Sequence, residues 1–340
     1  MSSFSARRFT RRGFLGTSGA VALGAVLAAC GGDDGGNVTQ GLGAWSFTDD
    51  RGTEIDLKAR PTRVVGYVGT AAALYDFGVD ERLVGVFGPT KLQDGSPDPQ
   101  AGELPVDRLE IIGNAFGEFN IEKYAALSPD LLVDNMFVDG ELFYVPSESA
   151  DKIYALAPSL AISTGAVSLP KPLRRMGELA VALGADPNAP KVTEAKARFD
   201  KAAEAVRTAV EANKGVRVLA ASASPDLFYA SSPDKNSDLI FFKELGVELI
   251  TPEKLGENGF YEELSWENAD RYPADLIILD SRTQALQPED LGGKAAWRDL
   301  PAVKAGQVVP WEAEPRFSYL GCAPILENLA KAIESAEKTG

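Results

Sequence analysis

From Arg63 onward the chain alternates short, almost continuous apolar runs with stretches in which apolar residues return every three or four positions. Arg63-Val64-Val65-Gly66-Tyr67-Val68 predicts a buried strand, Ala71 to Phe77 a helix, and Arg82-Leu83-Val84-Gly85-Val86-Phe87 a second strand, which is β-α-β spacing. Ile111 and Ile112 predict a short strand, Ile121 to Leu127 a helix, and Asp130 to Asp134 another strand. Strands that are apolar throughout and separated by helices imply a parallel sheet covered on both faces. Ahead of them, Trp45 to Leu57 alternates around Asp49-Asp50-Arg51-Gly52, a hairpin signal that opens the folded part.

A long helical pattern follows. Pro190 suits a first helical position, and Val192, Ala195, Phe199, Ala202, Val206 and Val210 recur until Gly215 stops the run. That is one helix of roughly 24 residues, hence roughly 36 Å, stiff enough to limit lobe movement to small displacements. Strand and helix alternation then restarts at Gly215 to Ala220, with strands at Leu276 to Asp280 and Gln307 to Trp311 and helices at Ser237 to Leu245 and Ile325 to Glu337.

The two halves share a repeat. Asn120-Ile121-Glu122-Lys123 to Asp130-Leu131-Leu132-Val133 recurs as Ser265-Trp266-Glu267-Asn268 to Asp275-Leu276-Ile277-Ile278. In each copy a capping residue stands two before a Glu, and that Glu stands eight before the Asp that opens a strand. Asn120 and Ser265 are suitable N-caps, and a carboxylate in a first helical turn is favoured by the helix dipole. Capping alone explains such a Glu, so the repeat by itself establishes two similar lobes and nothing further.

The N-terminal segment has a different pattern. Arg7, Arg8, Arg11 and Arg12 precede an apolar, small-residue stretch, Phe14 to Ala29, too short and too weakly apolar to remain as a spanning helix. Thr10-Arg11-Arg12-Gly13-Phe14-Leu15 resembles a twin-arginine export signal, and Leu27-Ala28-Ala29-Cys30 resembles a lipoprotein lipobox with Cys30 as the lipidated residue. Gly31 to Gly43 is rich in Gly and polar residues and reads as a flexible tether. The expected organisation is a signal over 1–30, a tether over 31–43, an N-terminal α/β lobe over 44–188, the interlobe helix over 189–214 and a C-terminal α/β lobe over 215–340.

Composition narrows the chemistry. The chain has 340 residues, 45% of them apolar, which is ample for one or two domains. Its only cysteines are Cys30 and Cys322, so a lipidated Cys30 leaves Cys322 without an intramolecular partner, as a small buried thiol. The formal net charge of −15 becomes about −19 once the four arginines of the signal are removed, which excludes nucleic acid as a partner. There is no histidine, hence no Ser-His-Asp triad and no His-ligated zinc, manganese or haem. Nucleotide and nucleophile-elbow motifs are also absent. Paired-carboxylate catalysis stays open, but with 49 Asp and Glu some acid is near another by chance.

The order and spacing of four segments resemble the ferric-siderophore and cobalamin periplasmic-binding family. They are Arg63-Val64-Val65 leading to a helix and Gly78-Val79, Asn120-Ile121-Glu122-Lys123 with Leu127-Ser128-Pro129-Asp130-Leu131-Leu132, Ser265-Trp266-Glu267 with Ala274-Asp275-Leu276-Ile277-Ile278, and Trp297 to Val308. The match covers roughly residues 45 to 338. The resemblance implies an α/β protein of two Rossmann-like lobes with parallel sheets, joined by one long interlobe helix, with the ligand cleft between the lobes. It further implies a monomeric substrate-binding lipoprotein, not an enzyme, that delivers an iron chelate, haem or cobalamin to an ABC permease dimer. No resident cofactor is expected, and iron enters only within the bound chelate. The resemblance gives Glu122 and Glu267 a role: one exposed acid on each lobe docks on arginines of the permease.

Open α/β sheets bind ligands beyond the carboxyl ends of their strands. In the first half those positions are Tyr67, Phe87, Lys91, Phe116, Asn135, Phe137 and Tyr144. In the second they are Tyr229, Arg282, Trp311, Arg316 and Tyr319. Aromatic walls with few cations suit a bulky, amphipathic chelate. Arg316, beside two aromatics in a strand-end loop, has no evident structural task. Three cations are too few for a triscatecholate, which favours a neutral ferric hydroxamate, with cobalamin and haem as alternatives. A carboxylate-dependent surface hydrolase and a surface module that binds another protein through an apolar patch are the alternatives outside the family.

Overall fold

The structure, a computed structural model, describes residues 44–339. The export segment, Cys30 and the tether therefore lie outside the described residues. Two short strands, β1 (Trp45–Thr48) and β2 (Glu54–Leu57), pair antiparallel with Trp45 opposite Leu57, the hairpin that the alternation predicts.

In the first lobe β3 (Val64–Tyr67), β4 (Leu83–Phe87), β5 (Glu110–Ile111), β6 (Leu131–Met136) and β7 (Ser159–Ser163) form a parallel sheet in the order β5-β4-β3-β6-β7. Every residue of β3 and β6 is buried, as expected of central strands covered on both faces. The connections carry α1 (Val68–Asp76), α2 (Ile121–Ala126), α3 (Ala150–Tyr154) and α4 (Pro170–Ala182). Trp45 fixes the hairpin to this lobe by donating its indole N–H to the Ala182 carbonyl at 2.9 Å.

The long helix α5 (Pro190–Ala212) has 23 residues, opens on Pro190 and buries Phe199, Ala202, Val206 and Ala209. The second lobe follows as β8 (Arg217–Ala223), β9 (Leu227–Ser231), α6 (Ser237–Glu244), β10 (Glu248–Leu249), β11 (Tyr261–Ser265), β12 (Leu276–Asp280), α7 (Ala295–Asp299), α8 (Pro301–Lys304), β13 (Val308–Trp311) and α9 (Tyr319–Ser335). Its strands run β11-β9-β8-β12-β13, with β10 beside the start of β8. This sheet is mixed, not parallel as expected, because β9 is antiparallel to both β8 and β11. The three residues between β8 and β9 permit a hairpin, whereas a parallel return needs a crossover of a dozen or more.

The closing helix also begins six residues earlier than the pattern predicts. Pro324 lies inside it and removes the hydrogen bond to the carbonyl four residues back, which reads as a helix start in sequence. Ser318 caps the true beginning by accepting from Gly321 N at 2.9 Å, and Gly321, Cys322 and Ala323 are buried. The thiol of Cys322 is the free, fully buried group expected of it. Helix α9 packs along α5, where the Phe199 ring meets Phe241 at 5.8 Å and Tyr319 at 5.6 Å. One apolar cluster runs from Trp45 through the first sheet to α5, α6 and α9, and a second covers the other face of the second sheet. Among the described residues no helix is long and apolar enough to cross a membrane.

Candidate functional site

The carboxyl ends of β3, β6, β12 and β13 converge, and Glu314, just beyond β13, is the point where they meet. Its Oε2 accepts from the Tyr144 hydroxyl at 2.6 Å, from the Tyr67 hydroxyl at 3.2 Å and from the Gln100 amide at 3.4 Å. Its Oε1 accepts from the Arg282 guanidinium, which also holds Asp280 at 2.7 Å. Tyr67 and Tyr144 belong to the first lobe and stack with ring centroids 4.0 Å apart. Arg282 and Glu314 belong to the second, so one carboxylate joins the lobes across the floor of the cleft.

The electrostatics of this group are self-consistent. Burial, then the neighbouring phenol and Glu314, push the Tyr67 hydroxyl well above its ordinary range. Burial and Glu314 do the same to Tyr144, so both phenols stay neutral donors. Burial opposes the charge on Arg282, but Glu314 and Asp280 outweigh it and hold the guanidinium firmly protonated. The Arg282 charge is thereby spent within the protein.

Above this floor lies a cavity of about 360 Å³, within the size range of small-molecule pockets. Phe137 and Phe143 wall it from the first lobe, and Tyr229, Tyr261 and the loop through Asn258 and Phe260 from the second. Among the described residues Arg282 is the only cation on its wall, against Glu257, Glu263 and Glu314. Burial lifts the Tyr261 hydroxyl to about 12, leaving another neutral phenol. Asn236 lines the cavity while 6% exposed, and its Nδ2 finds no hydrogen-bond partner among the described residues. A buried amide donor left unpaired costs free energy that a ligand oxygen would recover.

The residues expected at the site fall into three groups. Tyr229, Arg282 and Phe137 line the cavity, with Tyr67 and Tyr144 beneath it. Phe116, 64% exposed, stands over a neighbouring cavity with its ring 5.3 Å from Phe143. The others lie elsewhere. Phe87 is fully buried beside Tyr67 and Phe119, Asn135 accepts from the Thr70 hydroxyl at 2.9 Å in the core, and Trp311 donates to Asp238 at 2.6 Å. Tyr319 packs between Phe77 and Phe199 at the start of α9, and Lys91 pairs with Asp107 at 2.5 Å.

Arg316 corrects its sequence reading most clearly, because it has a structural task. Its guanidinium reaches Asp76 of α1 at 3.3 Å, and Ser318 donates to the same carboxylate at 2.6 Å. Burial raises the Asp76 carboxyl, and Arg316 and Ser318 work against that rise. Gly102, at φ +54, allows the approach: a Cβ there would lie 1.9 Å from an Arg316 nitrogen. Further ties run between the lobes, from Thr283 to Asp98 at 3.1 Å, Ala166 N to Lys235 O at 2.8 Å and Leu169 N to Ser237 O at 3.0 Å.

Glu122 and Glu267 are both exposed. Glu122 sits in the first turn of α2, where Asn120 caps by accepting from Lys123 N at 2.9 Å. Glu267 sits in the first turn of a 3-10 helix, Trp266–Arg271, and its carboxyl is lowered by its own backbone N–H and by Ser265. Ser265 occupies the cap position without a cap hydrogen bond of its own.

Sequence reasoning missed Glu314, Asn236, Phe143 and Tyr261. The available signal was position: Glu314 lies in the same loop after a strand that drew attention to Arg316.

Residues 64–315 match the family of periplasmic binding proteins. The solved structure of DesE, a ferric-siderophore receptor protein from Streptomyces coelicolor, is 52% identical, with 87% of this chain and 100% of that chain covered and a TM-score of 0.84. A siderophore periplasmic binding protein from the fuscachelin gene cluster of Thermobifida fusca is 23% identical over 81% of this chain and 97% of that one, with a TM-score of 0.55. The petrobactin-binding protein YclQ of Bacillus subtilis is 17% identical over 86% and 99%, with a TM-score of 0.63. These last two share the fold. No curated protein sequence matches the chain.

Proposed function

The chain belongs to the periplasmic binding protein family, and from that membership we propose that it captures a ferric siderophore of the hydroxamate type outside the cytoplasm and hands it to an ABC permease. It is a binding protein and not an enzyme, in keeping with its family and with the ferric-siderophore receptor that is 52% identical to it.

The observation that carries the ligand class is the charge state of the cleft. Each of the three cations that sequence reasoning assigned to a ligand is occupied by a carboxylate: Lys91 by Asp107, Arg316 by Asp76, and Arg282 by Asp280 and Glu314. Glu257 and Glu263 add acids to the wall. A strongly anionic triscatecholate entering this space would meet like charge in a low-dielectric setting. A ferric trihydroxamate is neutral at its core, because the hydroxamate anions balance iron(III). Aromatic rings cover its linkers, and the Asn236 amide is a donor for its oxygens. Iron is thus cargo within the chelate, and no resident cofactor is required.

Delivery uses the surface acids. Glu122 and Glu267, one per lobe and each in a first helical turn, meet arginines of the two permease subunits. Exposed pairs of this kind contribute about 0–1 kcal/mol each, so they orient the complex more than they hold it. Lipidation of Cys30, followed by the Gly-rich tether, keeps the monomeric carrier at high local concentration beside its importer.

Deleting the gene and following uptake of iron supplied as a ferric hydroxamate tests transport. Uptake falls and returns with the restored chain if the proposal holds. Unaltered uptake contradicts it.

A further inference from the structure

Residues 164–169 of the first lobe lie against residues 235–237 of the second. An antiparallel bridge joins Gly165 to Asn236, Ala166 N donates to Lys235 O at 2.8 Å, Leu169 N donates to Ser237 O at 3.0 Å, and the Ser168 hydroxyl donates to Glu244 at 2.6 Å. Two features make this seam costly. Ala166 sits at φ +53, a left-handed conformation that a residue with a Cβ populates roughly ten-fold less than its ordinary ones. Thr164 Oγ1, Asn236 Nδ2 and Ser237 Oγ are buried without a hydrogen-bond partner among the described residues, and the bridge sets Thr164 opposite Ser237, so the unpaired groups lie together. Strain and unpaired polar groups persist only where neighbouring contacts hold them. Here those contacts run between the lobes, so a small parting of the lobes relieves both: Ala166 returns to negative φ, and the hydroxyls meet water.

We propose that residues 164–169 and 235–237 form a strained clasp that opens and closes with the lobes, so that the ligand-free protein spends part of its time unclasped and a ligand in the cavity closes it. The proposal concerns regulation of the site described above and rests on its reading as a binding cleft, but not on the class of ligand. The link between clasp and cavity is direct. Asn236 belongs to both, and Phe137, which also lines the cavity, packs so closely on Gly165 that a Cβ there would lie 1.9 Å from the Phe137 carbonyl oxygen. A ligand oxygen that accepts from Asn236 Nδ2 removes one of the costs of the closed clasp and shifts the balance toward it. The hydrogen bonds at Glu314 join the same two lobes, so clasp and cleft floor open together.

Native-state hydrogen exchange on the full, ligand-free chain tests it, read at the Leu169 amide, a donor of the clasp, beside Val65 in the buried strand β3. Leu169 should exchange at least about ten-fold faster than Val65, through an opening that leaves the sheet folded. Ala166→Gly removes the left-handed penalty and should slow exchange at Leu169 by about three-fold to ten-fold, and Thr164→Val, which removes an unpaired hydroxyl, should slow it too. Ala166→Val, at an exposed position where it acts through the backbone, should speed it. Tyr144→Phe, which weakens the bond to Glu314, should speed it by about five-fold. Protection of Leu169 equal to that of Val65 overturns the clasp, as does exchange indifferent to Ala166→Gly. Exchange indifferent to Tyr144→Phe also overturns it, because the seam then frays without the lobes. Adding a ferric trihydroxamate should slow Leu169 further. If that probe does not bind, the siderophore reading fails, and the ligand-free rates still decide the clasp.

Discussion

Tyr144 donates its hydroxyl to Glu314 at 2.6 Å across 170 residues of chain, and through that bond the first lobe grips the second at the floor of the cleft. Tyr67 and Gln100 add weaker bonds from the same side, and Arg282 neutralises the carboxylate from the other. The site is therefore assembled only when both lobes are in place. Its walls are built to present neutral donors and rings.

Tyr144→Phe removes a hydrogen bond to a charged acceptor but leaves Glu314 its other donors, so the expected loss is about 1–2 kcal/mol of stability. Glu314→Ala leaves Tyr144 without its acceptor, Tyr67 with Gln100 alone and Arg282 with Asp280 alone, and costs more, about 3 kcal/mol. Chemical denaturation of the two variants beside the unaltered protein checks the order. A larger loss in Tyr144→Phe would contradict the placement of Glu314 at the centre.

Arg316 holds Asp76 and so acts on stability. Arg316→Ala leaves a buried carboxylate with Ser318 as its close partner, and a loss of about 3 kcal/mol is expected. Gly102→Ala, which pushes a methyl into the guanidinium, should move stability in the same direction. Denaturant midpoints test both. Equilibrium titration would show the opposite pattern, lost affinity at unchanged midpoint, if Arg316 were chiefly a ligand contact.

How far the sequence reveals this molecule depends on the range of the interaction concerned. Strand β3 and helix α5 are legible because a buried strand and a long amphipathic helix are written in neighbouring residues. The reversal of β9 was also written locally, in Ser224-Pro225-Asp226, three turn-forming residues that leave room only for a hairpin. Glu314 was not legible, since its partners Tyr67 and Tyr144 stand 247 and 170 residues away. The task of Arg316 is hidden for the same reason, Asp76 being 240 residues distant. Of the strand-end positions, Tyr229 and Arg282 reach the cavity, whereas Asn135 and Trp311 turn into the core, a choice made by side-chain direction that strand position does not determine.

Stability should rise as the solution is acidified from about pH 8 toward pH 5. Burial lifts the Asp134 carboxyl to about 8 and that of Asp238 to about 7. An acid whose folded pKa is raised binds its proton more tightly in the native state. Its contribution is complete below the unfolded value, about 4, and is lost as pH rises through the folded value. Thermal unfolding across this range should show the trend, with a shallower slope in Asp134→Asn. An identical slope in that variant would remove Asp134 as a cause.

Glu122→Ala combined with Glu267→Ala should abolish uptake while ligand affinity stays as it was, because both acids are exposed and neither lines the cavity. Each single change should weaken uptake less than the pair. Transport by the double variant at the normal rate would dismiss the docking role.

The central claim is that the cleft selects a neutral ferric hydroxamate, and equilibrium fluorescence titration tests it most directly, run in parallel with a ferric trihydroxamate, a ferric triscatecholate, haem and cobalamin. The account predicts saturable one-to-one binding of the trihydroxamate at about 1 µM or tighter, with the triscatecholate weaker by at least about ten-fold. Tighter binding of the triscatecholate, haem or cobalamin, or no binding of the trihydroxamate, would contradict it.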